Sequence, residues 1–394
     1  MSFKYYDDKK INFILHSCSK MIAGFLVYFS LIGIMCIWSS IITNANYFRR
    51  ANLASKYIAT AILIVTFCLL IGLRYNVGGD FEGYAAYYDN QLSSTSYDEV
   101  PYEIGFYWLI KILNALDLSS QSLFVATVLI QVLLLIRIIE RQEKSGFVTV
   151  LFYFFTLSFL ESLNIIRQHI AFLFVILAIF EFESSKAKGI LLYLAGGVFH
   201  TSAFFAFPLL IFLKYIRLDK YPSFLVASLL ISAYFSHQIA NSVLNQLPSL
   251  RLLSIYDGYL NTTQDLFHNV NPDNLGFGVY LSVICDIYLI IRSRGLNVVN
   301  KGLSNALFYN AYLLGVVLFP VVVATNFISL ERGIIYLYGL KFLIYGNFVY
   351  SIATNGNRFE KTWIPSCIII ISFLFLFINA LLKGAAGSTP YQTI

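Results

Sequence analysis

Charge is what this sequence has least of. Asp, Glu, Lys and Arg make up 12% of its 394 residues, where a soluble domain carries about 25%. That shortage excludes an ordinary water-soluble enzyme. Cysteine is scarce as well: five residues at 18, 36, 68, 285 and 367, with no CxxC or paired spacing. Neither a disulfide framework nor a thiolate metal centre is indicated. There is no GxxxxGK[ST] loop, which argues against nucleotide hydrolysis as a power source. HExxH and Cys/His clusters are missing, as is any Asp-x-Asp pair in the polar loops, so the sequence offers no set of metal ligands and calls for no cofactor. A GxSxG elbow is also lacking, which leaves serine-hydrolase chemistry without support.

What is present is apolar. Hydrophobic residues reach 58%, aromatics 17%, and the mean hydropathy is +0.71. The expected fold class is all-α: a polytopic integral membrane helical bundle, one integral membrane domain over 1–394 with a polar N-terminal extension at 1–20. The run from Met21 to Ile42 has no small-residue cleavage site and reads as an anchor. Further apolar runs fall near 57–73, 120–136, 147–161, 165–182, 189–213, 222–240, 276–291, 304–326, 329–350 and 363–382. In lipid each must be helical, because only a helix satisfies its own backbone along the segment. About ten spans plus a re-entrant or broken helix pair are expected. The net charge of +6 fits the lipid bilayer as partner and gives no reason to invoke nucleic acid.

Lys and Arg orient the runs. Connections such as those holding Arg137, Arg141 and Lys144, or Arg292, Arg294 and Lys301, are rich in them. The alternating set holds Arg74, Lys111, Arg167, Arg251, Arg332 and Lys383. The rich set is read as cytoplasmic, which makes 74–119 and 241–275 external loops. Lys4, Lys9, Lys10 and Lys20 run against this alternation at the N-terminus. Residues 189–213 have cytoplasmic flanks on both sides, so a broken or re-entrant element with its turn near Gly196-Gly197-Val198-Phe199-His200 is expected. Within the first loop an amphipathic stretch, Glu103 to Leu116, is expected to lie along the interface.

Three external arginines stand out, because positive charge is selected against on that face. Arg74 ends one span, Arg167 opens another within Asn164-Ile-Ile-Arg-Gln168, and Arg332 opens a third. A guanidinium binds phosphate oxygens through a planar fork, so the three together suit a diphosphate at headgroup level. Interfacial snorkelling is the blander explanation for any one of them. Asp80 follows Gly78-Gly79, which permit a tight turn and close approach of a ligand, and its carboxylate could accept a proton from a sugar hydroxyl. His200, at the expected break, is the other candidate base. Lys341 lies inside an apolar run and is expected to pair with a carboxylate such as Asp286 or Glu161.

Arg74-x-x-x-Gly78-Gly79-Asp80-x-x-x-Tyr84, then Ile166-Arg167-Gln168 with Ala171, then Phe199-His200-Thr201-Ser202, then Arg332-x-x-x-Tyr336, in that order, resemble the EpsG family, related to Wzy-type O-antigen and capsule polymerases. The resemblance covers roughly residues 57–350. It implies a fold like that of the metal-independent polymerase and ligase glycosyltransferases (GT-C-like), located in the bacterial cytoplasmic (inner) membrane. The implied activity joins oligosaccharide repeat units carried on undecaprenyl diphosphate, on the external, periplasmic side. Arg74, Arg167 and Arg332 would hold the diphosphate. Asp80 or His200 would take the acceptor proton, and Gly78, Gly79, Tyr84, Gln168 and Tyr336 would line the substrate. Undecaprenyl-diphosphate-linked glycans are the implied partners, with a chain-length regulator as the protein partner. A lipid-linked oligosaccharide flippase is the competing class, and a glycan acyltransferase a third.

Overall fold

A computed structural model describes residues 2–43, 53–90, 103–213, 215–246, 275–293, 303–325, 328–355 and 363–393. The described residues are helical and contain no strand; an isolated antiparallel bridge joins Arg74 to Thr393. Helix α1 runs Ser2–Thr43, so the polar extension expected at 1–20 continues the helix of the first anchor. Next come α2 (Leu53–Phe67), ending in a π turn at Cys68–Gly72, α3 (Phe81–Asn90), α4 (Ile104–Ala115) and α5 (Gln121–Glu140). They are followed by α6 (Gly146–Phe155), α7 (Ser158–Asn164), α8 (Ile166–Ser184), α9 (Lys186–Phe199) and α10 (Ser202–Leu213).

Among the described residues five helices are long and apolar enough to cross a membrane: Met21–Ile42, Ala54–Gly72, Gln121–Glu140, Ala306–Thr325 and Ile364–Leu382. Their outward faces fit lipid. Along α2 and its π turn, Ile58, Ile62, Val65 and Leu69 recur at helical spacing, and each is more than half exposed. A face of that kind would be a liability in water and is the ordinary surface in a bilayer.

About ten spans were expected, and length and composition support five, or up to seven when two bent pairs count as one span each. Several of the expected runs are interrupted by the chain. The run expected at 147–161 bends by 56° between α6 and α7, and the run at 222–240 bends by 77° between Pro222–Tyr234 and Ser236–Val243. The run at 329–350 is divided into Ile328–Gly333, Ile335–Tyr338 and Lys341–Asn355. The run at 189–213 breaks where expected. Helix α9 ends at Phe199, α10 begins at Ser202, and the Phe204 ring folds back over Gly197. At ~1.5 Å per residue the halves measure roughly 21 and 18 Å, short of the ~30 Å of hydrocarbon.

The chain packs as two units, residues 1–207 with 345–350 and 373–394, and residues 208–344 with 351–372. In the first, α8 and α9 form a close antiparallel pair, α5 packs on α8 and on the π turn, and α1 packs on α6. Aromatic rings fill its centre: Phe152 meets Tyr345 and Phe373 at 5.4 and 5.5 Å between centroids. In the second, α11 (Pro222–Tyr234), with proline in the first turn where no intrahelical N–H is needed, packs on α12 (Phe277–Ser293) and α13 (Leu303–Thr325). Buried between its helices is an ion pair. Lys341 Nζ lies 3.9 Å from Asp286 Oδ2, Tyr312 donates to Asp286 Oδ1 at 2.5 Å, and Lys341 donates to Tyr338. Of the two carboxylates expected as candidates, Asp286 is therefore the partner of Lys341. Most of the second loop, 247–274, with Tyr256, Asp257 and Phe267, lies outside the described residues.

Candidate functional site

The loop after the second span is built on Arg74. Its side chain is 1% exposed, and its guanidinium donates from Nε to Val77 O (2.9 Å), from Nη1 to Ile71 O (3.0 Å) and from Nη2 to Leu163 O (3.3 Å). The Phe124 ring lies 5.0 Å beneath it. Burial pushes its pKa down to about 10, with the phenols of Tyr391, Tyr28 and Tyr84 acting the other way, so it stays charged near neutrality. This geometry makes Arg74 a brace: its fork ties the end of the π turn to the loop and to the end of α7. Gln121 completes the arrangement by donating from Nε2 to Gly72 O at 2.5 Å and to Arg74 O at 3.1 Å.

Gly78 has φ +103°, and a Cβ there would sit 2.4 Å from Leu163 O. Only glycine fits. What comes close to Gly78 and Gly79 is the chain itself: their amides donate to Gly387 O (2.9 Å) and Ala386 O (3.0 Å). Residues 386–393 thus clasp the loop, with Tyr75 N bonded to Gln392 O at 2.8 Å, Tyr28 donating to Ser388 O at 2.6 Å and Tyr391 donating to Leu70 O. Asp80, half-buried at the start of α3, has its amide fixed on Asn164 Oδ1 at 2.9 Å.

A second cluster forms where α4, α8 and the α9–α10 break meet. Glu103 precedes α4, and its side chain makes no hydrogen bond to that helix. It reaches outward instead: Oε2 pairs with Arg167 Nη1, and Oε1 accepts from Thr201 N at 3.3 Å and lies 3.8 Å from His200 Nδ1. Gly105 allows this, because a Cβ there would meet Val198 Cγ1 at 2.5 Å and Val198 O at 2.9 Å. The side chains of Glu103, Arg167 and His200 remain 14%, 17% and 24% exposed. Arg167 also lies 5.8 Å from the Phe106 ring, which in turn meets Tyr84 at 5.5 Å.

The expected site residues therefore separate into groups. Arg167, His200 and Tyr84 gather around Glu103 and Phe106. Arg74, Gly78, Gly79 and Asp80 form the braced loop beside Leu163 and Asn164. Gln168 is buried within the first unit. Arg332, half-buried in Ile328–Gly333, and Tyr336, buried in the next short helix, belong to the second unit. Glu103, Asn164 and Ser202 were not singled out from the sequence as site residues. The signal for Asn164 and Ser202 was adjacency to the arginine and histidine motifs; Glu103 had none beyond being acidic in a polar loop. Among the described residues no group of three or more His, Cys, Asp or Glu is placed to hold a metal ion.

A family model, described as the EpsG family, matches residues 56–393. No curated protein and no solved structure matches.

Proposed function

This chain belongs to the EpsG family, a Wzy-type polymerase-like family of multi-pass membrane proteins, and we propose that it is a glycosyltransferase polymerising oligosaccharide repeats carried on undecaprenyl diphosphate. The reaction takes place on the external face of the bacterial cytoplasmic membrane, without a metal or other cofactor, and makes O-antigen, capsule or exopolysaccharide. The observation that carries this reading is the Arg167–Glu103–His200 cluster. It joins a guanidinium and titratable side chains in one partly open place, with Arg167 three residues along the chain from Asn164, which holds the Asp80 amide.

In this reading the guanidinium of Arg167 holds the diphosphate and stabilises the charge that grows on it as the glycosidic bond to the lipid breaks. Arg332 is a further ligand for the same class of anion, on the sequence argument alone. Arg74 shapes the loop that presents Asp80 and does not grip the anion. Gly78 and Gly79 act through that loop, Tyr84 and Gln168 serve the sugar from the first unit, and Tyr336, in the second unit, is a substrate ligand on the sequence argument alone. Asp80 or His200 accepts the proton of the attacking sugar hydroxyl. A chain-length regulator is the expected protein partner.

Arg167→Ala and Arg332→Ala, each placed in a strain lacking the chromosomal copy, test the reading by gel analysis of surface polysaccharide. Removing a prepositioned charge of this kind lowers rates by about 10²–10³-fold, so long chains are expected to vanish while single lipid-linked repeats persist on the outer face. Near-normal chain lengths in both variants overturn the anion grip. Repeats trapped on the inner face indicate a flippase instead.

A further inference from the structure

The hydrogen bonds at the α9–α10 break decide which face of His200 can do chemistry. A backbone N–H can only donate. Ser202 N donates to His200 Nδ1 at 3.3 Å, and Ser202 Oγ lies 2.7 Å from the same nitrogen. Nδ1 is therefore an acceptor, and in the neutral ring the hydrogen sits on Nε2. Glu103 does not reverse this: its Oε1 is 3.8 Å from Nδ1, beyond hydrogen-bond range, and is engaged by Thr201 N at 3.3 Å. The carboxylate anchors the turn, and Ser202 holds the ring. The lone pair that a general base needs is the one facing Ser202.

Resting on the polymerase reading above, we propose that His200 serves the transfer as an N–H donor through Nε2, directed at an oxygen of the leaving diphosphate, with Ser202 and Glu103 as positioning residues. The proton of the attacking hydroxyl then goes to the Asp80 carboxylate. The hydroxyl oxygen forms its bond to the anomeric carbon, and the bond from that carbon to the diphosphate oxygen breaks. The electron pair leaves with the diphosphate, where Arg167 and the Nε2–H of His200 receive the developing charge. His200 keeps its proton throughout, so the step balances without a second base.

The two roles of His200 separate on substitution. A glutamine side chain carries an N–H donor near the place of Nε2 and cannot act as a base. His200→Gln is therefore expected to keep polymer output within about tenfold of wild type, while His200→Ala loses about 10²–10³-fold, the range for a lost oxyanion-type donor. Equal loss in both, at equal amounts of folded protein in the membrane, overturns the donor role. Solid-state NMR of 15N-histidine-labelled protein in lipid gives a readout independent of activity, with His200→Gln identifying the signal. Wild type should show a neutral ring protonated at Nε2, and Ser202→Ala should weaken that preference while Ser202→Thr preserves it. A ring protonated at Nδ1 in wild type overturns the inference. A strain complemented with wild type that makes no polymer overturns the polymerase reading itself, whichever tautomer is seen.

Discussion

Arg74 and Arg167 look alike in the sequence, each an arginine at the end of an apolar run, and burial separates them. Arg74 is enclosed, with three backbone carbonyls on its fork; Arg167 is partly open and paired with Glu103. Arg74→Lys cannot reproduce three divergent donors on one plane, so at least one of the carbonyls of Val77, Ile71 and Leu163 loses its partner. A buried acceptor left without a partner costs about 1–3 kcal/mol. The thermal midpoint of the purified variant in detergent should fall, with activity lost in proportion to folded protein. An unchanged midpoint with activity gone would return Arg74 to the role of phosphate ligand. The motif around Asp80 was legible because its residue types are unusual beside an apolar run. The bracing role was not, since Leu163 lies 89 residues away along the chain.

Among the elements, the site depends on breaks in helices more than on helices. The π turn at Cys68–Gly72 and the bend at Leu157, a bulky residue held at φ +70°, both direct backbone toward the loop, and irregularities of this kind cluster where structure serves function. Residues 386–393 then close over Gly78 and Gly79. Gly78→Ala puts a methyl group against Leu163 O in a conformation unfavourable for an L residue, so the loop must move off the clasp. Long-chain polysaccharide should be lost. Limited proteolysis of the purified variant should cut within 384–393 faster than in wild type, and unchanged cleavage would show that the clasp does not depend on this approach. The break near His200 could be read from flanking charge, because Lys and Arg on both flanks of 189–213 argue against one crossing. The clasp could not, because nothing local in Gly384–Thr393 marks a partner more than 300 residues earlier.

For the molecule as a whole, the membrane is the solvent, and charge inside it must be paired. Lys341 and Asp286 are 4% and 2% exposed and lie 3.9 Å apart. Lys341→Met leaves a buried carboxylate without its cation, a change that costs about 3–5 kcal/mol, whereas replacing both members by apolar residues is often neutral or better. Size-exclusion profiles and thermal midpoints should show Lys341→Met poorly folded and Lys341→Met with Asp286→Leu recovered. Equal stability of the single variant and wild type would remove the structural role of the pair. By itself the sequence determined the solvent and the helical backbone, because apolar transfer and backbone hydrogen bonding in lipid follow from composition and local pattern. It did not show where an apolar run bends, so the number of crossings could not be read from the runs alone. Only the tertiary structure decided that Glu103 lies between Arg167 and His200 and that Arg74 is enclosed. Those contacts join residues 64 to 98 positions apart, and such pairings are fixed by how helices pack, which no local periodicity records.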